Sequence, residues 1–455
     1  MPAVSTFGWD IVYAVRVSHV NQRIAEADYA VRQFGVNVDG CKVSGRITGW
    51  RIAPGGSGRR VNISLTVEGG VIEWYGRSPT VFSGEAHVGI ELSVSSVRHD
   101  NKLVSVLAFT HGKAGRFTFE ELRLNGGVDL IKKAFVRAAL EKWLSENEDV
   151  IDHVFASVSI FEGLDGQSFS YLLPSEVSYA YCERETVDDS ILAVIGMVGG
   201  RQSRGLDQQV SSLALSDNFD ASIVIAPFVV LDLIAKHAVP AAYPGVIADD
   251  LRLCPGNPRR IELVQARKLD AIRVNGYLTS HTLTSLAIEF IGGQILVYSQ
   301  SLLNYDNKIK TYTETRARHS IVMSKTDSGD ATFRFIELAP PEAHSRHEID
   351  PSYKDETEKI GIYVSGVISV ASIFTGPIGF IGLSLLSGFY YGFFKYLPEL
   401  ECNGLEPPPS MDFLGFNASA ACAWLGGKTF RPCSIELSDA LRLSGDLHEQ
   451  AGIQQ

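Results

Sequence analysis

The sequence predicts an α+β fold in which antiparallel β-meanders curve around apolar helices to form an elongated tube. The plan is met twice, in residues 1–160 and 161–455. Three observations predict it. Long segments alternate apolar and polar residues at the period of a strand. Segments of helical spacing bracket them. A stretch near the C-terminus, Ile360 to Phe394, holds 35 residues without one charge while glycine recurs through it.

The first helix is read from Val17, Val20, Ile24, Ala27, Val31 and Phe34, which fall three and four apart and make one apolar stripe. After Gly35 the period changes. Val61, Ile63, Leu65 and Val67 alternate with Asn62, Ser64, Thr66 and Glu68, and Val88, Ile90, Leu92 and Val94 repeat the pattern. With Lys42–Arg51, Val71–Tyr75, Leu103–Phe109 and Arg116–Leu124 these form a meander, one face dry and one wet. Val128 to about Ser145 is a second helix, with Val128, Ile131, Phe135 and Trp143 on one side.

The middle returns to strands at His153–Ile160, Val177–Cys182 and Ile191–Val198, and Pro227 opens a helix to about His237. A second meander runs through Arg260–Gln265, Ile272–Thr279, Leu283–Phe290, Ile295–Gln300, Lys308–Thr315 and Thr332–Leu338, and Glu342–Asp350 is a polar link. Asp350-Pro351 then starts an apolar helical hairpin over 351–397, broken at Thr375-Gly376-Pro377 and stopped at Pro398. Phe430–Leu443 closes the chain with strands or a last turn.

The hairpin carries the functional expectation. Its apolar runs are short for a membrane span, which needs about 20 residues, and no basic cluster flanks them. An integral membrane protein is therefore not expected, although membrane contact stays open. An axial helix rich in Gly and Ser leaves the inside of a tube unfilled, as an acyl chain requires. Phe374, Phe380, Leu386, Phe389 and Phe393 are the candidate lipid-lining residues. Glycines that simply let helices pack closely are the competing reading.

A formal charge of −11 argues against non-specific nucleic-acid binding and against a general attraction to anionic membranes. Six dispersed cysteines without a C-x-x-C pair suit a reducing compartment. Met1 to Asp10 has no basic-then-apolar signal, so the chain is expected to be cytoplasmic as synthesised, with release by a non-classical route left open. None of the usual nucleophile-elbow, dinucleotide, phosphate-loop or zinc-helix motifs occurs, so neither an enzyme nor a cofactor is expected. His344 and His347 beside Glu348 and Asp350 read as a solvated loop, and no metal site is assigned.

Certain runs carry a family likeness. Thr6-Phe7-Gly8-Trp9-Asp10-Ile11-Val12-Tyr13-Ala14, with Val20-Asn21 and Ile24, resembles the opening of the forty-seven-kilodalton accessory proteins of OrfX-type botulinum neurotoxin gene clusters. His153-Val154-Phe155-Ala156, Tyr171-Leu172-Leu173-Pro174 and Val177-Ser178-Tyr179-Ala180-Tyr181 resemble their middle. Phe430, Leu437-Ser438-Asp439-Ala440-Leu441 and Gly445 resemble their ending. The resemblance implies the tubular lipid-binding (TULIP) superfamily and a bacterial toxin-cluster accessory role, with lipid or phospholipid and other cluster proteins as partners. It transfers no catalytic residue. Three readings stay open: a non-enzymatic lipid carrier, a filled tube that serves as a protein-interaction scaffold, and a membrane-inserting protein that uses residues 360–396.

Overall fold

The computed structural model describes residues 3–26, 32–99, 102–109, 117–147, 154–161, 174–233, 239–243, 245–270, 272–274, 277–279, 281–305, 309–325, 331–349, 422–424 and 428–448. Antiparallel strand dominates these, joined by a few helices. The apolar helical hairpin expected over 351–397 lies outside the described residues. Two compact units divide the chain. The N-terminal unit comprises Ser5–Val224, Ala418–Cys433 and Leu443–Gln455; the C-terminal unit comprises Met1–Val4, Ile225–Asn417 and Ser434–Arg442.

In chain order the N-terminal unit contains β1 (Ile11–Arg16), α1 (Val17–Glu26), β2 (Arg32–Val38), β3 (Cys41–Ser57), β4 (Arg60–Trp74), β5 (Thr80–His99), β6 (Lys102–Phe109) and β7 (Thr118–Asn125). Then come α2 (Leu130–Glu146), β8 (Val154–Phe161), β9 (Pro174–Cys182), β10 (Ile191–Val198) and β11 (Ala221–Ile225). The meander expected between Lys42 and Leu124 is present as β3, β4, β5, β6 and β7. Val61, Ile63, Leu65 and Val67 are fully buried, as their alternation requires. In contrast β1, β10 and β11 are buried along almost their whole length. They pair as neighbours in the order β11-β1-β10-β9, and strands covered on both faces read as continuous apolar runs.

The first helix is shorter than the apolar stripe suggests. Its described part is Val17–Glu26, and Arg32–Val38 is a strand paired with Cys41–Ile47. The turn that dictates this is Asp39-Gly40, both at positive φ (48° and 78°). Such an Asp-Gly pair between alternating residues makes a hairpin whose twist matches the flanking strands. Phe34 and Val36 then serve the sheet rather than a helix face.

Glycine seats the aromatic rings that bend this sheet. A Cβ on Gly45 would lie 2.9–3.0 Å from the Phe34 ring and 3.2 Å from the Cα of Gly70. The Phe82 ring covers Gly70 in the same way, 2.5–2.6 Å from the position of its missing Cβ. Register slips at Ser44/Arg46 on β3 and at Val67/Gly70 on β4, so both strands bulge where the rings cross. α2 packs on β2, β3 and β7, and its Trp143 ring meets Phe34 at 6.4 Å.

Asp129 caps α2 by accepting from the Lys132 amide at 2.9 Å. The helix buries Val136, Ala139, Leu140, Trp143 and Leu144. Of the residues expected on one side of this helix, Trp143 is buried, whereas Ile131 is turned outward with Leu130. The segment from Gly199 to Asp220 has no regular structure and is tied down by two arginines. Arg16 pairs with Asp189 at 2.6 Å and donates to the carbonyls of Ser216, Asp217 and Phe219. Arg184 pairs with Asp217 at 3.0 Å and donates to the carbonyls of Ser212 and Leu215.

The C-terminal unit contains α3 (Pro227–Leu233), α4 (Val239–Ala242), β12 (Leu251–Cys254), β13 (Asn257–Leu263), β14 (Arg267–Lys268), β15 (Ile272–Val274) and β16 (Tyr277–Thr279). β17 (His281–Ile291), β18 (Gln294–Tyr305), β19 (Ile309–Lys325) and β20 (Ala331–Ile349) follow. The chain ends with β21 (Cys422–Trp424), β22 (Lys428–Leu437) and β23 (Leu441–His448). The principal sheet of this unit runs β12-β13-β17-β18-β19-β20, with β14 on β17. The single strand expected over Ile272–Thr279 is a small hairpin, β15 with β16. The polar link expected at Glu342–Asp350 is instead strand: Glu342 to Ile349 pairs with Ile309 to Arg316. Its residues lack apolar alternation because β20 has β19 as its one strand neighbour among the described residues and takes its register from it.

Candidate functional site

The clearest concave site among the described residues lies on the C-terminal unit's sheet. Two adjacent rows of register partners build it. One is Arg260, Glu289, Leu296, Arg318 and Ala339, each opposite the next across β13, β17, β18, β19 and β20. The other is Ala287, Tyr298, Arg316 and Glu342. All nine line a depression of about 420 Å³. Strand alternation sends their neighbours Ile261, Ile288, Val297 and Ala317 into the core on the other face.

The depression sits where the ladder is interrupted. Register slips on both sides of Arg318, between Arg316/Arg318 and Arg318/His319. On β20 the interruption contains Pro340-Pro341, which have no N–H to donate. Proline is tolerated there because β20 has β19 as its one strand neighbour among the described residues.

The charges are unevenly matched. Arg260 pairs with Glu289 at 3.2 Å, and Glu289 also accepts from the Asn257 amide at 2.9 Å. Arg316 pairs with Glu314 at 3.0 Å and lies 5.7 Å from the centre of the Tyr298 ring. Burial, reinforced by Glu314, pushes the Tyr298 hydroxyl above the ordinary phenol range, so it is a neutral donor at any physiological pH. Arg318 closes no ion pair among the described residues. A guanidinium with free donors beside Ala287, Leu296 and Ala339 suits a carboxylate or phosphate carrying an apolar tail.

Phe374, Phe380, Leu386, Phe389 and Phe393 fall outside the described residues. Sequence reading did not find the depression, because its residues are the wet half of ordinary alternation. The signal that could have pointed to it is the Arg316-x-Arg318 pair opposite a Pro-Pro interruption. Three described residues of the family-like runs serve structural hydrogen bonds. Trp9 is fully buried and its indole N–H donates to the Asp207 carbonyl at 2.9 Å. Asn21 exchanges two hydrogen bonds with the Ile52 backbone, and Tyr181 exchanges two with Gly58.

The profile of the family described as OrfX-like, Protein OrfX2/OrfX3/P47, matches residues 6–445. The chain belongs to that family. It is similar to Protein OrfX3 of Paraclostridium bifermentans, 23% identical over 494 residues that cover 97% of this chain and 98% of the relative. Protein OrfX3 of Clostridium botulinum (strain Kyoto / Type A2) is 21% identical over 495 residues, covering 98% and 99%. The solved structure of P47 from Clostridium botulinum A2 superposes with a TM-score of 0.69 at 15% identity, over 98% of each chain. A family of toxin-cluster accessory proteins is the identity the runs at Thr6–Ala14 and Val177–Tyr181 had suggested. Among the described residues no helix is long and apolar enough to cross a membrane.

Proposed function

We propose that the chain is a non-enzymatic accessory protein that binds an anionic amphiphile, a fatty acid or a phospholipid, and belongs with the tubular lipid-binding proteins. The observation that carries the reading is Arg318, an unneutralised guanidinium in a depression floored by Ala287, Leu296 and Ala339. Arginine holds carboxylate or phosphate in two parallel hydrogen bonds, and the small aliphatic floor accepts methylenes. Organic extraction of the purified protein followed by mass spectrometry tests for resident lipid, and titration with a fluorescent fatty acid tests uptake. Arg318→Gln is expected to weaken uptake about tenfold, the loss of one charge-assisted pair. A lipid-free preparation that takes up no probe would overturn the reading. The groove of Phe374, Phe380, Leu386, Phe389 and Phe393 belongs to the same proposal as the lining for the acyl chain. Replacing Phe389 and Phe393 by Ser tests it by the same titration.

A further inference from the structure

One end of the N-terminal unit exposes large apolar side chains that no core explains. In the β4–β5 turn Tyr75 is 98% exposed, and Val81 just beyond it is 64% exposed. In the first turn of α2 Leu130 is 85% and Ile131 59% exposed. The two segments lie together. The Trp74 ring meets Phe135 edge-on at 5.3 Å, Gly126 sits against the Val81 backbone, and Arg77 acts on the Asp129 carboxylate.

The shape of the patch and its charge select an occupant. Tyr75 stands almost clear of the protein, at a tip rather than in a groove, so a protein partner would need a matching cavity whereas a fluid interface does not. Lys42, Arg77, Arg123, Lys132 and Lys133 lie on the segments around the tip against Glu73, Glu121, Asp129 and Asp39, the last in the turn before the Trp74 partner Cys41, a net positive charge of one in a chain whose total is −11. Arg77 is stacked on Trp74 at 4.3 Å, and neither Arg77 nor Lys133 closes an ion pair among the described residues. Tyrosine and leucine at the depth of lipid headgroups, with cationic side chains reaching back to phosphate, is the pattern of interfacial anchoring.

We infer that Tyr75, Val81, Leu130 and Ile131 form a docking tip that inserts into the surface of a phospholipid bilayer containing anionic lipid. The tip is independent of the proposed cargo site on the other unit. Flotation of the full chain tests it, with phosphatidylcholine vesicles made with and without phosphatidylserine. The wild type is expected to float with the anionic vesicles and to stay below with the neutral ones. The double variant Tyr75→Ser/Leu130→Ser is expected to lose about tenfold in bound fraction, from the apolar area withdrawn. Both side chains are exposed, and an unchanged melting curve checks the fold. Arg318→Gln, made for the cargo site, is expected to float normally, which separates failure of one idea from failure of the other. A double variant that floats like the wild type, or a wild type that ignores anionic vesicles, overturns the inference. So does a wild-type dimer that the double variant converts to monomer, because the tip would then meet a second copy.

Discussion

Asp10 offers a graded test of how the central strands of the N-terminal unit are held. Its carboxylate is fully buried at the start of β1. β1 pairs with β10 only as far as Ile11 opposite Gly196, and the Asp10 amide still donates to the Gly196 carbonyl at 3.1 Å. Beyond that point the Val198 amide donates to Asp10 Oδ2 at 2.9 Å, while Oδ1 is paired with Arg201. The carboxylate therefore replaces a missing backbone acceptor. Asp10→Ala strands the Val198 N–H and is expected to cost about 2–3 kcal/mol, the loss of a charged acceptor and the desolvation of its donor. Asp10→Asn retains an oxygen for that amide and gives up only the pairing with half-exposed Arg201, so about 1 kcal/mol is expected. Burial outweighs both partners and raises the Asp10 pKa above the ordinary carboxylate value. A raised acid contributes stability below its unfolded pKa and loses it as pH rises through the folded one. The gap between wild type and Asp10→Asn should therefore narrow from about pH 4 toward neutrality. Chemical denaturation followed by near-ultraviolet circular dichroism measures all three proteins. Equal losses for Ala and Asn at neutral pH would refute the backbone-substitute argument.

The other predictions test packing, loop anchoring and titration. Gly70→Ala drives a methyl to 2.5–2.6 Å from the Phe82 ring and should cost about 1–3 kcal/mol in denaturant midpoint; adding Phe82→Leu should recover part of it. Arg184→Met removes the donors for the Ser212 and Leu215 carbonyls, so amides 211–217 should exchange faster while those of β10 keep their protection. His319 is fully buried and burial lowers its pKa to about 4. Its unfolded form takes a proton first as pH falls from about 6.5, so up to about 3 kcal/mol of stability is lost toward pH 4. His319→Gln should flatten that part of a stability-versus-pH curve.

Much of the β architecture was legible because residue type alternates along the strands: Val61–Val67 and Val88–Leu92 declare theirs, even though Asn62 and Ser64 of the polar set are themselves buried. Ile191–Val198 was legible for the opposite reason, an unbroken apolar run too short for a helix. The reading failed where a local device overrode the period. Phe34 continues the helical stripe of Val17 to Ile24, yet Asp39-Gly40 makes it a strand residue. Glu342–Asp350 looks like a linker because β20 has only one neighbour, β19, to satisfy among the described residues. Ile131 fits the apolar side of α2 by spacing, but it lies in the first turn of the helix, ahead of the buried positions from Val136 to Leu144. The depression around Arg318 was illegible for a further reason. Its nine residues come from five strands, and only pairing register puts them side by side.

The slips in register on β3 and β4 make this sheet count-sensitive. Side chains change sides with every residue, and each bulge resets the count at a chosen glycine. One residue added to the tight turn between β2 and β3 would move Phe34 off Gly45 and point it outward, whereas two would leave ring and glycine facing each other. Relatives that differ in hairpin length are thus expected to do so by even numbers on the ring-bearing side of each bulge. Single-residue changes are confined to positions where a new glycine can absorb them.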